Sequence, residues 1–419
     1  MKCGVLLSLF LLMASAAVVA MAPEDVRMVE VVGEGAKYWP RWRGPSGQGM
    51  AAAGTYTDKW TPKTSAWSVT VPGSGNSSPI VWGDRIFLTT GYGSGDRLSM
   101  LAFARADGKK LWETFITQDG VEHGYWKNGF ASATPATDGE LIYASFGRHG
   151  LVAFDFNGKI VWHHKFGIIG NYHGPAGSPV LYKDRVFIFQ DGSQTAFVGA
   201  FDKNTGKQIW ITPRSESVGW GTAVVINTGT RDELIVSSQS RVAAYDPASG
   251  KELWTVRGMT YEVIPTPVVG HGLVFASSGR AGPTIAIRPG GSGDVTSTHV
   301  AWNSPRGSPF VPSGIVVGDL LYLINDMQSI LTVFEAATGK LIYQDRLGVA
   351  IREGFSASPV HVNGKIYFTN DDGQTFVVEA GRAFKLLHVN ELGERTLASP
   401  ALVDGTWYWR TATTLRAIR

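Results

Sequence analysis

Ala200-Phe201-Asp202-Lys203-Asn204-Thr205-Gly206-Lys207-Gln208-Ile209-Trp210 closes one unit of a repeat. Upstream of it, Ser178-Pro179-Val180 opens the unit, Lys183-Asp184 marks a turn, and Val186-Phe187-Ile188 reads as an apolar strand. The order of small residue and Pro, turn, strand, Gly-Lys and aromatic returns on both sides. Before it lie Ser78-Pro79 to Trp112 and Thr134-Pro135 to Trp162. After it come Thr222-Ala223-Val224 to Trp254, and Thr266-Pro267 to Trp302, with Pro289 to Gly293 where the tight turn would be. Pro312-Ser313-Gly314 to Tyr343 and Ser358-Pro359 to His388 follow, and a last copy runs from Ser399-Pro400 to the end at Arg419. The period of about 46 residues is close to the ~40–45 of a four-stranded propeller blade. Asp-Gly and Asn-Gly pairs supply the positive φ that short hairpin turns require.

A lone blade leaves both faces uncovered, and stacking blades around an axis covers them. The spacing therefore predicts an all-β, eight-bladed β-propeller of four-stranded blades. The eighth copy lacks its Gly-Lys-Trp strand. Ala66-Trp67-Ser68-Val69-Thr70-Val71 is a strand without partners and fits the gap, so the ring closes by pairing the two ends; the alternative is an open array with a frayed last unit. Trp67, Trp112, Trp162, Trp210, Trp254 and Trp302, with Tyr343 and His388 as degenerate versions, are expected to dock between blades with a polar hydrogen bonded to the neighbour.

The composition agrees with a turn-rich β protein. Of 419 residues, 51 are Gly and 14 are Trp, and 17% are charged. A net charge of +3, without dense Lys/Arg runs, argues against nucleic acid. Residues 1–22 read as a Sec-type signal peptide: Lys2, an apolar run from Val5 to Met13, then Ala20-Met21-Ala22. A membrane anchor is the alternative, but the apolar run is short for a span of ~20 residues. The only Cys, Cys3, falls in this leader, too early for a lipobox. The mature chain is then cysteine-free, without a membrane span, and periplasmic or secreted. Its parts are a signal peptide (1–22), an N-terminal arm (23–64) and a propeller (65–419).

The pattern Ala200 to Trp210, with Ala-Tyr245-Asp246 to Gly250-Lys251-x-Leu253-Trp254, resembles the pyrroloquinoline quinone (PQQ) type repeat. That family builds eight-bladed propellers in quinoprotein dehydrogenases and in the outer-membrane assembly lipoprotein BamB. Trp39-Pro40-Arg41-Trp42-Arg43-Gly44-Pro45-Ser46-Gly47 is similar to an element preceding such propellers in exported bacterial proteins, and is expected either across one face of the ring or as a loosely docked arm. The resemblance implies two functions. One is a non-catalytic scaffold binding a protein or other ligand at the central mouth. The other is a PQQ- and calcium-dependent alcohol or sugar dehydrogenase. Quinoprotein alcohol dehydrogenases use a vicinal Cys pair and a Glu/Asn/Asp calcium set, which this sequence does not offer, so no cofactor and no metal are expected. The missing lipobox departs from BamB. Polysaccharide binding at an aromatic mouth is a third reading.

Loops entering the innermost strands ring one mouth of such a channel, and function concentrates on loops over a rigid frame. They place Glu122, His123, Tyr125, Trp126 and Asn128 before blade two, and Tyr172 and His173 before blade three. Trp220 precedes blade four, Tyr261 and Glu262 blade five, Arg306 blade six, and Arg352 and Glu353 blade seven. These are the candidate ligand- or partner-binding residues; the plain alternative is that Trp126 and Trp220 plug the funnel and that Arg352 and Glu353 form a local ion pair. No catalytic residue is assigned. His163-His164 point to opposite faces of a strand and cannot share a metal. Asn370-Asp371-Asp372-Gly373 lacks the Glu that ends a calcium loop. A monomer is expected, because a closed ring leaves little need for association.

Overall fold

The computed structural model describes residues 26–120, 124–280, 282–349 and 354–419. The expected signal peptide and Cys3 lie outside the described residues. Eight sheets stand around a central channel, each built on four antiparallel strands as the repeat predicts; the fourth is extended to six by Arg27–Met28 and by the parallel Gly293–Asp294. The innermost strands are Ile80–Trp82, Ala136–Thr137, Val180–Tyr182, Val224–Asn227, Val268–Gly270, Ile315–Val317, Val360–Val362 and Ala401–Val403. Blade eight is assembled from both parts of the chain. Trp67–Thr70 pairs with Thr414–Ile418, with Trp67 opposite Ala417.

In the first seven blades the pairing with the outermost strand slips by one residue beside the aromatic, for example between Ala102 and Phe103, Ala200 and Phe201, and Val377 and Val378. A bulge of this kind re-aims side chains and tightens twist. In blades one to four and six it follows the Gly-Lys turn. In blade eight the outer strand arrives from elsewhere, no such turn precedes it, and its register runs without a slip.

The core lies between blades rather than within them. Phe87, Ile142 and Phe154 fill the gap between blades one and two, and Tyr143, Val186 and Phe201 the next. Each such side chain contributes about 1.5–3 kcal/mol on burial. Outside this core runs a girdle of indoles. Trp67, Trp112, Trp162, Trp210 and Trp302 each donate Nε1 to a backbone carbonyl of the next blade, at 3.2, 2.8, 2.9, 3.2 and 2.9 Å. Each lies flat on that blade's turn glycine. A Cβ on Gly250, whose φ is +75°, would stand 2.4 Å from Trp210. Trp254 departs from the pattern. It packs between blades four and five but donates to Glu233 of its own blade at 2.8 Å. There the Gly-rich insertion adds Gly293–Asp294 as a parallel strand beside Trp254 and Thr255. Tyr343 packs on Phe384, and its buried hydroxyl has no partner. His388 meets the Asp58 carbonyl of the N-terminal arm.

That arm crosses one end of the channel. It meets Val81 of blade one through Trp39, Thr137 of blade two through Pro40, and Ile226 of blade four through Met28. Gln48 Oε1 accepts from Val269 of blade five, and Gly49 and Ala51 bond the backbone of His361 of blade seven. Most of these partners lie along or at the far ends of the innermost strands, so the arm covers the channel end away from the entry loops.

Candidate functional site

The small residue that opens each repeat has a specific task. Ser78 N–H donates to Thr134 Oγ1, Thr134 to Ser178, Ser178 to Thr222, and Thr222 to Thr266, at 3.0–3.2 Å. Thr266 donates to Ser313, Ser313 to Ser358, Ser358 to Ser399, and Ser399 back to Ser78, at 2.9–3.0 Å. Eight hydroxyls thus form a closed hydrogen-bonded ring around the axis. The Pro that usually follows brings no N–H of its own, so nothing is orphaned beside the ring. The sequence shows these residues as repeat starts. Their mutual bonding is a tertiary fact, and the only signal for it is that every blade carries Ser or Thr there.

The ring lines a cavity enclosing about 1030 Å³, counting the part open to solvent. Trp42 closes its far end, with Nε1 3.3 Å from Thr266 Oγ1. At the near end Tyr125, Lys127, Asn128, His173, Trp220, Arg280 and Phe310 form the wall. Among the cavity residues, Trp42, Lys127, Arg280 and Phe310 escape sequence reasoning: Lys127 and Phe310 sit in entry loops and Trp42 in the stretch 39–47, but spacing does not say which side chains of such segments turn inward.

One side of the mouth is a single bonded cluster. Glu262, buried, accepts from the Tyr172 hydroxyl at 2.9 Å and from Arg280. The Tyr172 hydroxyl also meets that of Tyr261 at 2.9 Å. Burial, together with Tyr261 and Glu262, holds the Tyr172 phenol well above its ordinary range. His173 stacks on Trp220 with ring centres 5.6 Å apart, and Trp220 Nε1 donates to Gly174 O at 2.9 Å. Tyr125 covers the other side of His173, at 4.2 Å. Trp220 is 5% exposed, whereas Trp126, Tyr261 and Tyr172 are 66, 51 and 37% exposed and form the rim. Asn128 donates to His173 O and Pro175 O at 2.8 and 3.1 Å. The candidates Glu122, His123, Arg352 and Glu353 lie outside the described residues. Arg306 is exposed.

Opposite this cluster, Lys127 reaches from blade two to Asp371 of blade seven, 3.0 Å away. Trp126 lies beneath Arg395, at 5.2 Å. Burial raises the Asp371 carboxyl despite Lys127. Asp326, behind Phe310, is pushed up to about 7 by burial, and its Oδ2 has no partner. Asp371, which the sequence shows only as part of a turn, is therefore a structural counter-charge. Among the described residues no three of His, Cys, Asp and Glu are placed to hold a metal ion, and no helix is long and apolar enough to cross a membrane.

A family of PQQ-type repeats described as "Outer membrane protein assembly factor BamB" matches residues 55–190 and 124–342. The chain belongs to this BamB-like repeat family. Within and around the BamB-like family its relatives diverge in function. It is 23% identical over 332 residues to the outer membrane protein assembly factor BamB of Burkholderia pseudomallei, covering 74% of this chain and 78% of that protein. It is 24% identical over 312 residues to the tetrathionate hydrolase of Acidithiobacillus ferrooxidans, covering 68% of this chain and only 59% of that longer relative. In fold it is similar to the quinohemoprotein alcohol dehydrogenase of Comamonas testosteroni, with a TM-score of 0.63, 13% identity, and 91% of this chain and 80% of that one covered.

Proposed function

We propose that this BamB-like propeller is an exported, non-catalytic scaffold that binds a ligand or partner protein at its central mouth. The observation that carries the reading is the cavity, walled by residues entering from around the whole ring and rimmed by exposed Trp126, Tyr172 and Tyr261. Exposed aromatics around a concave site are the usual anchors of recognition. A BamB relative, named for outer-membrane protein assembly, supports a periplasmic setting. The same rim could stack sugar rings, which keeps polysaccharide within the class of ligands. The partner is tested by retaining periplasmic proteins on the immobilised chain. Trp126→Ala/Tyr261→Ala should lose a specifically retained partner while keeping its thermal transition. Equal retention would overturn the assignment to the mouth.

The second reading is a quinoprotein dehydrogenase, favoured by the fold likeness. PQQ with calcium would need carboxylates on the wall and an uncovered indole floor. The described wall carries no carboxylate, and His173 covers Trp220. The described residues of the wall therefore do not fit the group, and the mouth works without it in our reading. Reconstitution with PQQ and calcium should give neither a bound chromophore nor dye-linked alcohol or sugar oxidation. Tetrathionate hydrolysis, assayed alongside, separates this chain from the longer relative whose name carries that activity.

A further inference from the structure

Three observations concern the charge that the cavity is built to meet. The first is the hydroxyl ring. Each oxygen accepts a backbone N–H, and its own proton has no acceptor among the described residues. Seven of these O–H groups line the cavity, all buried. A hydroxyl used as an acceptor still has a donor to give. The second is the wall. Among the described residues its ionisable groups are Lys127, Arg280, His173 and the phenol of Tyr125, while the carboxylates that pair with the first two, Asp371 and Glu262, stand behind it. The third is a pair of buried guanidiniums, Arg43 and Arg410, with no carboxylate in salt-bridge range among the described residues. Arg43 donates to Gly314 O, next to Ser313 of the ring, at 2.7 Å. Arg410 donates to Ser77, next to Ser78, at 2.7 Å. Arg43 Nε and Nη1 and Arg410 Nε have no partner. Buried cations without counter-ions are costly, so donors and positive charge are in excess beside the ring, just behind the cavity wall.

We infer that the cavity binds a small oxyanion, carrying carboxylate, sulfonate or phosphate oxygens, with the ring hydroxyls as donors and Lys127 and Arg280 as counter-charges. This rests on the mouth being a binding site and names the class of its ligand. A neutral sugar brings no negative charge to Lys127 and Arg280, whereas an oxyanion does.

The test uses the full mature chain and three probes in calorimetry: citrate, sulfate and maltotriose. Citrate or sulfate should bind saturably with one site, and Lys127→Gln should weaken that binding at least about tenfold, the order expected for a lost charge-assisted bond. Arg280→Gln serves if Lys127→Gln does not fold. Crystals soaked in selenate should show anomalous density on the ring axis. Maltotriose binding without anion binding overturns the oxyanion and keeps the mouth. So does selenate found only on surface lysines, or anion binding equal in wild type and both variants. Retention of a partner by Trp126→Ala/Tyr261→Ala overturns the mouth itself, whatever the anions do.

Discussion

The propeller is held by two circular hydrogen-bond systems, and they differ in how strictly they are kept. The inner one, of Ser and Thr hydroxyls, is complete in all eight blades. The outer one, of indoles on turn glycines, holds at five interfaces and is replaced at the others by Trp254 with Glu233, by Tyr343, and by His388 with the arm. The difference follows from geometry. Blades converge at the axis, so the spacing there is fixed by the ring itself. At the periphery they diverge, and an inserted strand or an arm can fill the wedge.

The comparison breaks most completely where both systems need closure. Removing Thr414–Ile418 deletes the buried Leu415, Ala417 and Ile418 and strips both Trp67–Thr70 and Thr406–Arg410 of their partner. The expected loss exceeds the ~5–15 kcal/mol that holds a domain together, so the variant should show no cooperative transition in urea. Next is the girdle at its most buried point. Trp254→Ala should cost about 3–5 kcal/mol, more than Trp302→Ala, whose indole is half-buried; the two midpoints in urea decide this. Then comes the inner ring. Ser178→Ala orphans the Thr134 N–H and should cost about 1–3 kcal/mol. A cost below that range would mean that the ring is not strict.

The most gradual effect is a pH slope. Burial raises Asp326 from 3.8 to about 7, so the folded chain holds this proton more tightly than the unfolded one. Its contribution is full below the unfolded value and is lost as pH rises toward 7, at up to about 1.4 kcal/mol per pH unit. Asp326→Asn should flatten stability over that window and be the more stable form at pH 8. A parallel slope in the variant would assign the effect elsewhere.

What the sequence reveals divides along the same line. Gly206-Lys207 with Trp210 is local and repeats, so turn, bulge and docking aromatic can be read from spacing. Ser178 and Thr222 repeat too, but their bond to one another spans 44 positions and shows only in space. The mouth is less legible still. Tyr172, His173, Trp220, Tyr261 and Glu262 come together because each precedes a blade, which spacing does suggest. Lys127 and Asp371, and Arg280 and Phe310, meet through loops whose paths no period dictates. Trp42 sits at the channel end because the arm crosses it, one of the two placements that the nine residues 39–47 left open.

Trp407 donates to Thr57 O across a separation of 350 positions, beside the sheet that unites Trp67 with Ala417. Contacts so distant along the chain are slow to form. The final wedge needs Trp67–Thr70 and Thr414–Ile418 together, so closure of the circle waits on the pairing most distant along the chain.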